Sequence, residues 1–220
     1  MKYPYLVYQQ HLDHAPIFAD LEGDPYVADL STANLLLDRI DVRDQQTYQR
    51  ILEREMQPRY RWGFSGYLEN RKSLLRDCPQ MMEEGRYFHL GLDIIVARGT
   101  PLCAPLAAEV AEAGYEEGEG NYGGFVLLKH RSEQFETFYS FYGHLDSDRL
   151  PAVGIAFLPG EPFAFIGDFH QNGNWFYHTH LQIITERGLA EGYLSKGYCA
   201  AEDLPWMNGL CPSPLPLFRR

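Results

Sequence analysis

Two stretches of the chain carry residue types that bind divalent metals: Phe88-His89-Leu90-Gly91-Leu92-Asp93 and, much later, Tyr177-His178-Thr179-His180-Leu181. His89 and Asp93 are four apart, which on a helix would set them on one face about 6 Å from each other. Gly91 breaks the segment, however, and the Ile94-Ile95-Val96 that follows is β-branched, so a strand entered through a bend fits better. In a fully extended chain their Cα atoms would lie ~13 Å apart, near the limit for sharing one ion at ~2.1 Å from each donor. A kink at Gly91 relieves that. His178 and His180 are two apart on a β-prone run ending Leu181-Gln182-Ile183-Ile184, so both imidazoles leave the same face of a strand. One can bind the ion while the other stands beside it. Two histidines and one carboxylate leave a tetrahedral zinc with an open position for water, the catalytic rather than the structural pattern. A third stretch, Tyr139-Ser140-Phe141-Tyr142-Gly143-His144-Leu145, offers a further histidine just outside the ligand set.

HLGLD, YGHL and HTH, in that order, resemble the lysostaphin-type metallopeptidases of family M23 over roughly residues 86 to 186. The resemblance implies an antiparallel β fold whose zinc is held by the His and Asp of HxGxD and the second His of HxH. Carried over position by position, His89, Asp93 and His180 become zinc ligands, and His144 and His178 the catalytic pair. Arg98 to Pro105 followed by Ala108-Glu109-Val110 is similar to the family's turn and strand, as is Gly120-Asn121-Tyr122-Gly123-Gly124. Where the family commonly has Gly-Pro before HxH and Phe-Glu after it, this chain has Phe176-Tyr177 and Leu181-Gln182. That places the difference at the rim of the cleft, with the zinc chemistry untouched. Gly66-Tyr67-Leu68-Glu69-Asn70-Arg71 and Leu210-Cys211-Pro212 are similar to a branch of the family found fused to aminotransferases and lacking export signals.

The chain has 220 residues, 45% apolar and 14% aromatic, enough to bury a sizeable core. One catalytic domain is expected, residues 71–220, with an extension, residues 1–70, packed on it. A formal charge of -11 repels phosphate backbones, and no stretch joins clustered Lys or Arg with aromatics, which argues against nucleic-acid binding. No apolar run reaches membrane-spanning length, and Met1 to His11 lacks a signal-peptide pattern, so a cytoplasmic protein is expected. Cys78, Cys103, Cys199 and Cys211 have no CxxC spacing and read as free thiols; a Cys199 to Cys211 bridge belongs to an exported protein. Oligomeric state is not legible.

The fold class expected is mainly β, an antiparallel metallopeptidase core with one short helix in the extension. Asp44 can cap a helix over Gln45 to Met56, with Tyr48, Ile51, Leu52 and Met56 as its apolar stripe and Pro58 closing it. Residues 1–40 read as loops and short elements. Tyr60, Trp62, Phe64 and Tyr67 read as packing residues at the junction. Strand periodicity covers 87–96, 107–115, 124–131, 135–143, 162–167 and 177–185, with Leu150 to Gly167 read as tight turns. Glu116-Glu117-Gly118-Glu119 reads as a solvated hairpin tip. His130 reads as ending a strand without function, His170 as exposed, and His11 and His14 as surface residues.

The function expected is zinc-dependent hydrolysis of a peptide amide by a metal-activated water, in peptidoglycan stem or cross-link peptides if the resemblance extends to substrate. With no HExxH glutamate as base, His144 and His178 are the candidates for carrying protons, and spacing does not say which does which. Two other classes compete. A non-catalytic zinc-scaffold binding module would keep the metal without hydrolysis, and a non-haem iron oxygenase would use the same two histidines and carboxylate.

Overall fold

The computed structural model describes residues 2–4, 7, 13–118 and 120–218. Its strands are β1 (Tyr26–Val27), β2 (Gly63–Ser65), β3 (Phe88–His89), β4 (Leu92–Ile95), β5 (Pro101–Cys103) and β6 (Ala108–Glu116). They continue with β7 (Gly123–Ser132), β8 (Phe135–Leu145), β9 (Ala156–Phe157), β10 (Pro162–Phe165), β11 (His178–Thr185) and β12 (Tyr198–Cys199). Helices are α1 (Gln45–Met56), α2 (Pro79–Glu83), α3 (Glu186–Ala190) and α4 (Met207–Leu210). The fold is mainly β, as expected. One eight-stranded sheet runs β1-β2-β4-β11-β8-β7-β6-β9, and only its edge pair β1–β2 is parallel.

Alternation along these strands decides which side chains share a face. Leu92, Ile94, Val126, Leu128, Tyr142 and Leu181 pack into the main core with Trp62. On the other face Phe141, Leu127 and Ile184 meet Tyr193, Met207, Leu210 and Cys211 from the C-terminal segment. The extension does more than lie against the sheet, since it supplies β1 and β2. Its helix α1 begins where the sequence indicates: the Asp44 carboxylate accepts from Thr47 N at 3.0 Å. Tyr48, Leu52 and Met56 are buried with Leu30, Leu37, Leu74, Ile95, Trp175 and Phe176 in a second core. Gln45 is buried on that face, and Ile51 is half-buried.

The four cysteines are free thiols, three of them buried. His170 is exposed, whereas His14 is half-buried and bonds the Leu217 carbonyl at 3.0 Å. His11 and Glu119 lie outside the described residues. Among the described residues, no helix is long and apolar enough to cross a membrane.

Candidate metal centre

Strand register builds the site. Asp93 on β4 faces Ser65 on β2 and His180 on β11, and His180 faces Gly143 on β8, so four strands contribute to one row. His178 and Gln182, two residues to either side of His180, share its face. His89 enters from β3 through the bend at Gly91. A Cβ on Gly91 would lie 2.6 Å from His180 Cε1 and 2.7 Å from the Leu181 carbonyl oxygen. Gly91 is therefore required for close approach as well as for the bend.

His89 Nε2 and His180 Nδ1 are 2.9 Å apart, and Asp93 Oδ1 lies 3.2 Å from the first and 3.3 Å from the second. All three residues are buried. The outward atoms decide what the inward ones can do. His89 Nδ1 meets the Gly66 carbonyl at 3.0 Å, which only accepts, so the ring proton sits on Nδ1 and Nε2 points inward as a lone pair. His180 Nε2 meets Gln182 Oε1 at 2.9 Å, and the Gln182 amide nitrogen donates to the carbonyls of Tyr193 and Lys196, which fixes the amide's orientation. His180 Nδ1 is therefore also an inward lone pair. Asp93 Oδ2 accepts from Arg71 Nη1 at 2.5 Å and from Ser65 Oγ at 3.1 Å, leaving Oδ1 free to face the histidines. Three acceptors thus converge with no proton among them, an arrangement that repels itself unless a cation sits between.

Electrostatics agree. Burial, and then the Arg71 charge, push His89 down to about 3. Burial alone would raise Asp93, but Arg71 and His89 outweigh it and hold the carboxyl well below its usual range. Arg71 is 2% exposed; its Nη2 donates to Ser65 Oγ at 2.6 Å and its Nε to Glu69 at 2.9 Å.

His178 and His144 stand beside the triangle, their ring centroids 4.3 Å apart. His178 Nδ1 donates to the Phe176 carbonyl at 2.8 Å, and Nε2 lies 3.7 Å from Asp93 Oδ1. The Phe176 ring stacks on it at 4.2 Å. His144 Nδ1 donates to the Asn172 carbonyl at 2.8 Å. Burial lowers both, His178 to about 4 and His144 well below its ordinary value, so both rings are neutral near pH 7. His144 owes its position to a register shift between β7 and β8 and to a left-handed backbone with φ of 64°. Simple alternation from Gly143 would have sent it to the opposite face; the bulge turns it back.

All five residues singled out in the sequence thus gather in one place. Arg71, Ser65 and Gln182 join them without having been anticipated. Gln182, read from the sequence as part of the cleft rim, instead lies directly behind the His180 imidazole. Glu116, read as part of a solvated tip, lines the cavity at the site and accepts from Tyr122 N at 3.2 Å. His130 is structural: its Nδ1 donates to the Ala107 carbonyl at 3.2 Å and its Nε2 accepts from Ser140 Oγ at 2.7 Å inside the sheet.

In comparison with known proteins, residues 87–189 fit the model of peptidase family M23. This segment, a little under half of the chain, is similar to peptidase family M23. A search of curated proteins gives no match. Among solved structures, the catalytic domain of lysostaphin from Staphylococcus simulans is 19% identical, with 55% of this chain and 79% of that one covered and a TM-score of 0.40. A catalytic-domain mutant of the prophage-encoded M23 protein EnpA from Enterococcus faecalis is 20% identical over 52% of this chain and 77% of that one, with a TM-score of 0.38. A zinc-containing peptidase from Vibrio cholerae is 21% identical over 44% of this chain, with a TM-score of 0.37; the present chain spans 27% of it. The M23 segment contains His89, Asp93, His144, His178 and His180, whereas Ser65 and Arg71 precede it.

Proposed function

We propose that the protein is a zinc-dependent peptidase in which His89, Asp93 and His180 hold the ion and His144 and His178 move protons. The observation that carries this reading is the triangle of inward lone pairs, 2.9 to 3.3 Å on a side. A tetrahedral zinc ~2.0–2.1 Å from each donor requires donors about 3.3 Å apart, so the residues fit the ion with little adjustment. When bound, zinc supplies Lewis acidity, lowering the pKa of a coordinated water toward neutrality and polarising a carbonyl.

The remaining chemistry belongs to the chain. With their Nδ1 protons fixed on backbone carbonyls, His178 and His144 each keep Nε2 as a lone pair able to accept a proton. A ring that has taken that proton is disfavoured by its burial, which promotes its onward transfer to the leaving amine. Arg71 and Ser65 hold the far oxygen of Asp93 so that its near oxygen faces the histidines. The substrate proposed is a peptide amide, with peptides derived from peptidoglycan as the class the family suggests.

Metal analysis combined with amine release from peptides tests this. The protein should hold about one zinc per chain, and chelation should abolish hydrolysis that zinc then restores. Full activity in metal-free protein would overturn the reading.

A further inference from the structure

His178 keeps its ring proton on Nδ1 through a bond to the Phe176 carbonyl at 2.8 Å. That carbonyl belongs to the peptide group joining Phe176 to Tyr177, whose N–H points the opposite way, as in any trans peptide. The Tyr177 N–H donates to Gln49 Oε1 on α1 at 2.7 Å. Gln49 is itself oriented: its Nε2 donates to Glu53 Oε1 at 3.0 Å, one turn further along the helix, which leaves Oε1 as the acceptor. The preceding peptide group is held in the same way, since Phe176 N donates to Gln45 Oε1 at 3.1 Å and Gln45 Nε2 donates to the Val42 carbonyl. Tyr48, on the same helix, meets the Phe176 ring edge-on at 5.4 Å, and that ring stacks on His178 at 4.2 Å with 20° between planes.

The sheet does not supply this support. β11 begins at His178, which pairs with Ile95 of β4, so Phe176 and Tyr177 lie ahead of the ladder and their N–H groups take side-chain acceptors instead. A peptide group that donates through its N–H is also polarised so that its carbonyl accepts more strongly, which links the Gln49 bond to the His178 bond along one axis. Both glutamines stand on α1, well ahead of residues 87–189 that fit the M23 model.

We infer that Gln49, seconded by Gln45, is a positioning residue for His178: α1 fixes the peptide group between Phe176 and Tyr177, and through it the tautomer and direction of the imidazole. The extension thereby takes part in proton transfer as well as packing on the sheet. The inference rests on the peptidase reading for what the ring does, and on the hydrogen bonds alone for what holds it.

The test uses the zinc-loaded full-length chain, with proton–nitrogen NMR of the histidine rings to read tautomer and ring-proton exchange, and amine release from peptides to read turnover. In the parent, His178 should show one tautomer, with its proton on Nδ1. Gln49→Leu should mix the tautomers and speed exchange of the ring proton with water about tenfold or more, and should lower kcat about tenfold with KM nearly unchanged and zinc retained. The double change Gln49→Glu with Glu53→Gln keeps an acceptor toward Tyr177 N and a donor behind it, and should restore both readouts. Gln46→Leu, on the exposed side of α1, should leave both at parental values. A Gln49→Leu protein whose His178 keeps the parental tautomer and exchange rate would overturn the inference, whatever its kcat. If no peptide were cleaved even by the parent, the peptidase reading would fall, while a tautomer change in Gln49→Leu would still uphold the positioning role.

Discussion

His180 shows how much work a single side chain's two nitrogens do. Nε2 is tied to Gln182 and Nδ1 is turned inward toward His89 and Asp93. His180→Ala, His89→Ala or Asp93→Ala should each leave the protein without zinc. His144→Ala and His178→Ala should retain the ion and lose about 100-fold or more in turnover, as expected for a missing proton carrier. Metal content and rate measured on the same preparations separate the two sets. Arg71→Gln should cost roughly 3–5 kcal/mol, because it leaves buried Asp93 and half-buried Glu69 without their countercharge; denaturant unfolding reads this directly. The histidines and Asp93 were legible because metal ligands need particular residue types at particular spacings. Arg71 was not: its distance along the chain from Asp93 carries no periodicity, and only folding brings the two together.

Among the elements, strands declared themselves by alternation. The expected 107–115, 124–131, 135–143 and 177–185 became β6, β7, β8 and β11 with no end shifted by more than two residues. Helix α1 was legible from Asp44, the apolar stripe and Pro58. The short α2, α3 and α4 have two turns or less, too little for a 3.6-residue period to register. The β8 bulge also left no sequence signal, although it decides the direction of His144. The bend between β3 and β4 supplies a test at this scale. Gly91→Ala would press a methyl against His180 and the Leu181 backbone, so zinc affinity should fall sharply and stability by about 1–3 kcal/mol. A Gly91→Ala protein with parental zinc affinity would show that the packing there is looser than described.

At the scale of the whole molecule, the M23 segment is one part of a structure in which flanking chain on both sides closes around the site. Composition indicated a core large enough for this, but contacts between residues 30, 69, 71 and 93 arise only in three dimensions. The fold also buries neutral histidines. His89 sits at about 3, His130 and His178 at about 4, with His144 lowered as well, each chiefly by burial. In the unfolded chain these rings titrate near 6.5, so between that value and about 4 the unfolded state binds protons the folded state does not. The stability they contribute is present above pH 6.5 and is lost as pH falls through this window, roughly 3 kcal/mol from His130 alone. Metal-free protein should therefore unfold at markedly lower urea at pH 4.5 than at pH 7.5, and zinc should add stability at the higher pH.

An anomalous-scattering map collected at the zinc edge, from crystals of protein purified without added metal, addresses the central claim most directly. A single strong peak about 2.0–2.2 Å from His89 Nε2, Asp93 Oδ1 and His180 Nδ1 is the predicted result. A peak bound instead by His144 and His178, or none within reach of the three inward atoms, would contradict it.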